Sequence, residues 1–360
     1  MKICIHINIP SFYQENFFRT LGRKCDLLVR YENDLPEDRI KLGWSSELTG
    51  YNYIFEKDMN YFSRFFLGGY EYHIISGFPG SVKNLIKVVR INRNNKIFFQ
   101  SEFPFNVSKK WILASKFFSS IVNRKKIFLL GIGEDIRNFW RKIGVNENLI
   151  FQWGYFIDKK TYNHNITSQI TSDLIFVGQL IHRKGVDVLL KAFKIVSKII
   201  SNNLVLVGDG AGKKEILNLI SQLELKDRVM VTGSVPSKVI QEKIADSSLL
   251  ILPSRYDGWG IVTNEAILNN VPVIVSDKCG SKELVENLKV GFIFQNENYD
   301  DLANKIISII SSNEKWNYFK ENCRKYSGLI NTDAASDYLI NILKYTEGKI
   351  NKKPLPPWVI

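Results

Sequence analysis

Short apolar runs recur along the second half of the chain, separated by segments with helical periodicity. Leu189, Phe193 and Val196 recur at helical spacing after the first of these runs. Runs of four residues rich in Leu, Ile and Val are typical of strands buried on both faces of a parallel sheet. The alternation therefore predicts an α/β fold with helices on both faces of the sheet. The predicted strands are Leu174–Val177, Leu204–Val207, Val229–Thr232, Leu249–Leu252, Val273–Val275 and Phe292–Phe294.

The first half alternates in the same way, though less regularly. Its predicted strands are Lys2–Ile9, Asp26–Arg30, Tyr72–Ile75, Lys96–Phe99 and Ile127–Leu130. Between the halves, residues 153–172 are polar and rich in turn formers, which indicates a domain boundary. We therefore expect one domain over 1–160 and a second over 161–335. A helix and tail over 336–360 are expected to pack on the first domain.

Ligands of parallel α/β sheets bind at the carboxyl ends of the strands. By position alone, this rule nominates Ser76, Gly77 and Glu102 in the first half as facing a pocket. Each is also an ordinary turn residue, so both interpretations stay open. They are the candidates for the acceptor side of any site.

The segment Ser254–Pro272, SRYDGWGIVTNEAILNNVP, lies between two predicted buried strands. Glycines directly before a helix let the backbone approach a ligand, and the N–H groups of the first helical turn favour an anion. Asp257 precedes these glycines and Glu265 follows them, and carboxylates accept hydrogen bonds from sugar hydroxyls. The alternative is a plain strand–turn–helix in which Glu265 only complements the helix dipole.

Composition describes a globular protein: 45% of the 360 residues are hydrophobic and 24% are charged. The four cysteines show neither a CxxC pair nor zinc spacing, which favours a reducing compartment. No apolar run approaches the ~18 residues that a membrane span needs. We therefore expect a cytoplasmic protein, either free or peripheral on the inner face of the membrane.

The net charge of +13 is concentrated in residues 1–150, which hold 23 Lys and Arg against 14 Asp and Glu. Such an excess suits an anionic partner or is simply a solvated surface. Basic and aromatic residues alternate over 109–126, a pattern that fits either an anionic membrane surface or a core-facing helix. No nucleic-acid-binding motif occurs, so nucleic acid is not an expected partner.

Two nucleotide-binding motifs are incomplete in this sequence. Residues 208–215, GDGAGKKE, resemble a P-loop but are one residue short and lack Ser or Thr after the lysine. No strand is followed by a complete dinucleotide fingerprint. Lys184 and Arg183 follow a strand and could neutralise a diphosphate, or they could be a solvated pair. No Asp-x-Asp pair occurs in the sequence, so no metal cage is expected.

In their order, these motifs resemble the retaining glycosyltransferases of family four. The resemblance covers about Leu174–Phe294, including FVGQLIHRKGVDVLLKAF, LVLVGDG and PSRYDGWGIVTNEAILNNVPVI. It implies the GT-B fold, with two facing Rossmann-like domains and a cleft between them. It also implies a nucleotide-sugar donor, a glycan or lipid-linked acceptor, and no metal or other cofactor.

The resemblance assigns roles to individual residues. It implies that Asp257, in place of the family's first glutamate, holds a hydroxyl of the transferred sugar, while Glu265 holds the ribose. Lys184 matches the diphosphate-binding lysine, and Arg183 would compensate for Gln179, which stands where the family has arginine. The other implied donor-binding residues are Gly178, Gly208, Gly233, Val235, Trp259, Gly260 and Ile261.

The expected function is retaining sugar transfer in the synthesis of a bacterial surface polysaccharide or lipopolysaccharide. Two alternatives stay open. A GT-B sugar-nucleotide epimerase would convert the donor without an acceptor, and a non-catalytic protein would bind the nucleotide sugar and do no chemistry.

Overall fold

The computed structural model describes two compact units of the chain. One consists of Met1–Ile157 and Thr332–Pro357, and the other of Asp158–Asn331 and Trp358–Ile360. The described residues are 1–37, 40, 46–59, 69–77, 84, 87–88, 91, 94–104, 109–158 and 169–360, with the backbone alone over 109–114.

The first unit is built on a seven-stranded parallel sheet in the order β3-β2-β1-β4-β5-β6-β7. Its strands are β1 (Lys2–Ile7), β2 (Asp26–Tyr31), β3 (Asn52–Phe55), β4 (Tyr72–Ser76), β5 (Lys96–Glu102), β6 (Phe128–Ile132) and β7 (Ile150–Trp153). Among the described residues, its α-helices with full bounds are α1 (Phe12–Lys24), α2 (Lys109–Lys125), α3 (Glu134–Lys142) and, far along the chain, α11 (Thr332–Thr346).

Helix α11 joins the first unit by packing against α1 and the edge of the sheet. Tyr338 donates a hydrogen bond from its hydroxyl to the carbonyl of Gln152 (2.8 Å), and its ring stacks on Trp153 with centroids 5.5 Å apart. Thr20 of α1 and Thr332 share a buried hydrogen bond of 3.1 Å. These contacts bury both polar and aromatic surface, so α11 is an integral layer of the first unit.

Helix α2 carries the part of the basic and aromatic pattern whose side chains are described. Phe118 and Val122 are buried in the core, whereas Phe117 is 69% exposed beside the exposed Lys116. One face of this helix therefore packs into the core, as the second interpretation predicts, while the membrane-surface interpretation stays a prediction. The side chains of residues 109–111 lie outside the described part of the chain. Among the described residues, no helix is long and apolar enough to cross a membrane.

The second unit has a six-stranded parallel sheet in the order β10-β9-β8-β11-β12-β13. Its strands are β8 (Leu174–Val177), β9 (Leu204–Val207), β10 (Val229–Gly233), β11 (Leu249–Leu252), β12 (Val273–Ser276) and β13 (Gly291–Phe294). Its helices are α4 (Val186–Val196), α5 (Lys213–Gln222), α6 (Ser237–Ala245), α7 (Val262–Leu268), α8 (Lys282–Leu288), α9 (Tyr299–Ile310) and α10 (Asn313–Tyr326).

Burial explains why the strands of the second unit were predictable. All four residues of β9, β11 and β12 are buried, as expected for strands covered by helices on both faces. Helices α9 and α10 start where Asn298 and Ser312 accept hydrogen bonds from the backbone N–H of Asp301 and Lys315. The α/β class with parallel sheets is confirmed.

Candidate functional site

Strand β8 is the point at which the order of the second sheet reverses. It pairs with β9 on one side and with β11 on the other. The crevice outside the carboxyl ends of such a strand pair is the general ligand position in open α/β sheets. The turn after β8 carries Lys184, and the loop after β11 carries Asp257. Their Nζ and Oδ2 atoms lie 2.5 Å apart, with each side chain 14% exposed.

Hydrogen bonds tie the turn after β8 to the loop after β11. The backbone N–H of Arg255 donates to the carbonyl of Arg183 (2.9 Å). In return, the guanidinium of Arg183 donates to the carbonyl of Tyr256 (2.8 Å). Arg183 therefore lies beside Lys184 and Asp257, but its guanidinium holds the loop that carries Asp257.

A second arginine reinforces the same junction. Arg255 donates two hydrogen bonds to the carboxylate of Asp187, at 2.8 and 2.7 Å, and a third to the carbonyl of His182. Burial acts to raise the pKa of Asp187, but the hydrogen bonds and charge of Arg255 outweigh it and hold that pKa below its usual value. The paired geometry favours a rigid junction.

Two glycines allow the close approach of these segments. Gly185 has φ 67°, and a Cβ atom there would lie 2.0 Å from the carbonyl oxygen of Pro253. Gly260 has φ 88°, and a Cβ atom there would lie 2.5 Å from Leu252. A larger residue at position 185 would have to shift the backbone. At position 260 it would meet the side chain of Leu252 in a left-handed backbone conformation, so both positions favour glycine.

The predicted glycine ends of β8, β9 and β10 lie side by side at the carboxyl edge of the sheet. The N–H of Gly208 donates to the carbonyl of Gly233 (3.0 Å), and a Cβ atom on Gly208 would lie 1.9 Å from the carbonyl oxygen of Gly178. Val235 lies two residues after Gly233, before α6 begins. This edge therefore presents backbone rather than side chains.

Trp259, one of the implied donor-binding residues, is buried inside the second unit. Its indole is 1% exposed, donates to the side chain of Asn264 (2.8 Å) and packs against Trp358, with ring centroids 5.7 Å apart. The indole is therefore not available to a ligand. Ile261 lies two residues on, at the start of the seven-residue helix α7.

Glu265 is 7% exposed and lies in the first turn of α7. Its Oε1 atom accepts a hydrogen bond of 2.7 Å from the side-chain amide of Gln241 in α6. Asn269, at the end of α7, donates to Gln241 Oε1 (3.1 Å) and to the carbonyl of Glu265 (2.9 Å). The next residue, Asn270, adopts the left-handed conformation with φ 59°. Gln241 and Asn269 are contacts that the sequence did not indicate as partners of Glu265.

The acceptor-side candidates lie in the first unit, at the carboxyl ends of β4 and β5. The hydroxyl of Ser76 is buried and has no hydrogen-bond partner among the described residues. Gly77 donates from its N–H to the carbonyl of Gln100 (2.9 Å), and Glu102 is the last residue of β5. Strand β4 pairs with β1 and β5, so Ser76 and Gly77 follow a strand at the switch point of this sheet.

A buried group of Cys4, His6 and His73 was not expected from the sequence. Their potential ligand atoms lie within 4.8 Å of one another, and the two histidine rings share a 3.2 Å hydrogen bond. Burial raises the pKa of the Cys4 thiol to about 12, although the charges of Arg30 and Lys87 oppose this rise. Burial, assisted by the charges of His73, Lys87 and Arg30, holds the pKa of His6 well below its usual value. The surroundings therefore favour a neutral hydrogen-bonded pair over a bound cation.

A comparison with protein families covers most of the second unit. Residues 164–326 match the profile of the family described as glycosyl transferases group 1. This stretch is a group 1 glycosyl transferase domain. The resemblance predicted from the motifs is thereby confirmed at the level of the group 1 family, while membership of the retaining family four stays a prediction.

Relatives of this group 1 domain include an uncharacterised protein and a glycosyltransferase of capsule synthesis. An uncharacterised 41.2 kDa protein in the cps region of Klebsiella pneumoniae is 30% identical over 47% of this chain and 44% of its own length. The capsular polysaccharide biosynthesis glycosyltransferase CapM of Staphylococcus aureus is 25% identical over 64% of this chain and 60% of its own. The chain spans about half the length of most curated relatives that it matches.

A solved structure extends the likeness in fold to the whole chain. The Alr3699/HepE protein of Anabaena, crystallised in complex with UDP, superposes with a TM-score of 0.72 at 17% identity. The match covers 96% of this chain and 100% of the other. At this identity the likeness establishes the fold alone. The predicted GT-B class, with two Rossmann-like domains, is confirmed.

Proposed function

We propose that this protein is a glycosyltransferase that moves a sugar, with retention, from a nucleotide-sugar donor to a glycan or lipid-linked acceptor. The observation that carries the proposal is the pairing of Lys184 with Asp257 at the switch point of a group 1 domain. In this crevice Lys184 would contact the diphosphate and Asp257 the sugar, which are the two groups joined by the bond that is cleaved.

The reaction needs charge stabilisation at the leaving group. Cleavage of the glycosyl–phosphate bond makes the sugar electron-deficient and leaves negative charge on the diphosphate. Lys184 would bind that diphosphate, together with the backbone N–H groups of Gly260 and Ile261. Helix α7 has only seven residues, so its dipole is weak. The loop amides would therefore contribute more to binding the diphosphate than the helix dipole does. Glu265 would bind the ribose and Asp257 a hydroxyl of the transferred sugar.

The proposal includes metal-independent transfer. The lysine would carry the positive charge that a divalent ion supplies at other diphosphate sites. Initial rates in the presence and absence of a chelator test this statement. A loss of transfer on chelation that added Mg²⁺ restores would contradict it.

We further propose that the acceptor belongs to bacterial surface polysaccharide or lipopolysaccharide synthesis, and that the protein works at the cytoplasmic face of the membrane. The relative in a capsule region and the capsule-synthesis relative support the first part. The basic first half and the exposed Phe117 beside Lys116 support the second. Flotation with anionic liposomes tests it, since binding should weaken as salt is raised.

A donor screen is the decisive experiment. The protein is incubated with UDP-, GDP- and other activated sugars, and donor turnover is measured with and without candidate acceptors. Glu265→Gln is expected to lower turnover by ~100-fold or more. Donor conversion to an epimer without acceptor would indicate an epimerase instead. Calorimetry showing nucleotide binding without any turnover would indicate a non-catalytic protein.

A further inference from the structure

The carboxylate of Glu265 is buried and contacts the neutral side-chain amide of Gln241. Its Oε1 atom accepts from Gln241 Nε2 at 2.7 Å, and both side chains are 7% exposed. An amide donor holds a carboxylate without adding a positive charge. The contact therefore orients the carboxylate and leaves its negative charge available to other donors.

The orientation of the Gln241 amide is itself determined by a second contact. Asn269 Nδ2 donates to Gln241 Oε1 at 3.1 Å, so the oxygen of that amide points to Asn269 and its nitrogen to Glu265. Asn269 also donates to the carbonyl of Glu265 from the last turn of the same helix. The chain of contacts runs from the end of α7, through α6, back to the first turn of α7.

We propose that Gln241 is the positioning residue that aims Glu265 at the ribose hydroxyls and so gives the site its preference for ribonucleotides over 2′-deoxyribonucleotides. The proposal rests on the proposed function, in which Glu265 binds the ribose. A carboxylate that accepts from two neighbouring hydroxyls must be held in one rotamer. Without the amide of Gln241, the carboxylate of Glu265 loses a contact that fixes its rotamer, and the second hydroxyl contact is weakened first.

The test compares UDP and GDP with 2′-deoxy-UDP and 2′-deoxy-GDP by calorimetric titration. Wild-type protein is expected to bind the better ribonucleotide about 10-fold or more tightly than its deoxy form, which is the size of one charge-assisted hydrogen bond. Gln241→Met keeps the length of the side chain and removes the amide. In this variant the ribonucleotide should bind more weakly, the deoxy form nearly unchanged, and the preference should approach unity.

Two further variants separate positioning from general damage. Lys238→Met changes an exposed residue on the same helix as Gln241 and should leave the preference intact. In a Glu265→Gln background, adding Gln241→Met should change the preference little, because the residue acts through Glu265. Gln241→Asn, whose amide is one methylene shorter, should restore part of the preference if the fold tolerates the shorter side chain.

The possible outcomes distinguish the positioning role of Gln241 from the proposed function on which it rests. A Gln241→Met protein that keeps the wild-type preference, or that loses affinity for both nucleotides equally, overturns the positioning role and leaves the proposed function standing. A wild-type protein that binds neither UDP nor GDP overturns both. Collapse of the preference in Gln241→Met, with melting temperature and deoxynucleotide affinity preserved, supports the inference.

Discussion

Replacing Asp257 by asparagine is expected to separate nucleotide binding from sugar transfer. Lys184 Nζ lies 2.5 Å from the Asp257 carboxylate, and both side chains are 14% exposed. A diphosphate that binds this lysine therefore approaches a carboxylate as well. Asparagine has the same shape and no charge. The variant therefore removes the repulsion between the carboxylate and the diphosphate, and it also removes the carboxylate that competes with the diphosphate for Lys184.

The magnitude follows from Coulomb's law. Two unit charges about 6 Å apart interact by about 3 kcal/mol at an effective dielectric constant of 20. Water reaches both side chains, which lowers the difference to about 1–2 kcal/mol, or roughly 10-fold in affinity. UDP or GDP without a sugar should therefore bind Asp257→Asn more tightly. Sugar transfer should fall by ~100-fold, because the charged contact to a sugar hydroxyl is lost.

Calorimetric titration and initial-rate assays on the same preparations measure both quantities. Asp301→Asn is the matched control, since Asp301 pairs with Lys305 at 2.7 Å within helix α9 of the same unit. It should change neither nucleotide affinity nor transfer. Weaker nucleotide binding by Asp257→Asn would refute the reasoning, because Asp257 would then orient Lys184 rather than compete for it.

Three further predictions follow from single contacts. Lys184→Ala should lower transfer by ~100-fold or more with an unchanged circular dichroism spectrum, and near-normal turnover would remove the lysine from the mechanism. Gly185→Ala should destabilise the protein by about 1–3 kcal/mol in urea unfolding, since its Cβ atom meets the carbonyl of Pro253 at 2.0 Å with φ 67°. Burial lowers the pKa of His73 to about 4. The unfolded chain then binds the extra proton below pH 6.5, so the free energy of unfolding should fall by about 3 kcal/mol between pH 6.5 and 4. A His73→Asn variant, which does not titrate, should show a flatter pH profile.

The central strands β8, β9, β11 and β12 of the second unit were predictable to within about a residue because they are covered on both faces. Such strands give continuous apolar runs, and the predicted Leu249–Leu252 matches β11 without change. The helix expected after the glycines of the Ser254–Pro272 segment is α7, Val262–Leu268. Local sequence is sufficient where burial is complete and glycine or asparagine ends the element.

The strands at the two edges of the first sheet were not predicted. Both β3 and β7 have four residues and pair on one side only. In β3 the side chains are exposed or half-buried, and Tyr53 is 43% exposed. An edge strand of this kind lacks both the apolar run of a buried strand and a regular alternation, so its pairing is determined by tertiary contacts.

The candidate site likewise contains residues that local motifs indicated and residues that only tertiary contacts bring to the site. Lys184, Asp257 and Glu265 were found because each belongs to a motif beside a strand or helix end. Gln241 lies 24 positions from Glu265, and no local pattern links an amide in one helix to a carboxylate in the next. Cys4 and His73 are likewise paired only through the register of β1 and β4. Contacts of this kind depend on which helices and strands become neighbours.

Arg183 and Lys184 show why adjacent residues of one motif need separate assignments. Both lie in a single turn of 3₁₀-helix, in which successive side chains point about 120° apart. Lys184 therefore reaches the carboxylate of Asp257, while Arg183 reaches the carbonyl of Tyr256. A guanidinium engaged by a backbone carbonyl stabilises the loop and has fewer N–H groups left for a phosphate. We infer that the charge on the leaving diphosphate is met chiefly by Lys184, and that Arg183 acts by holding Asp257 within reach of it.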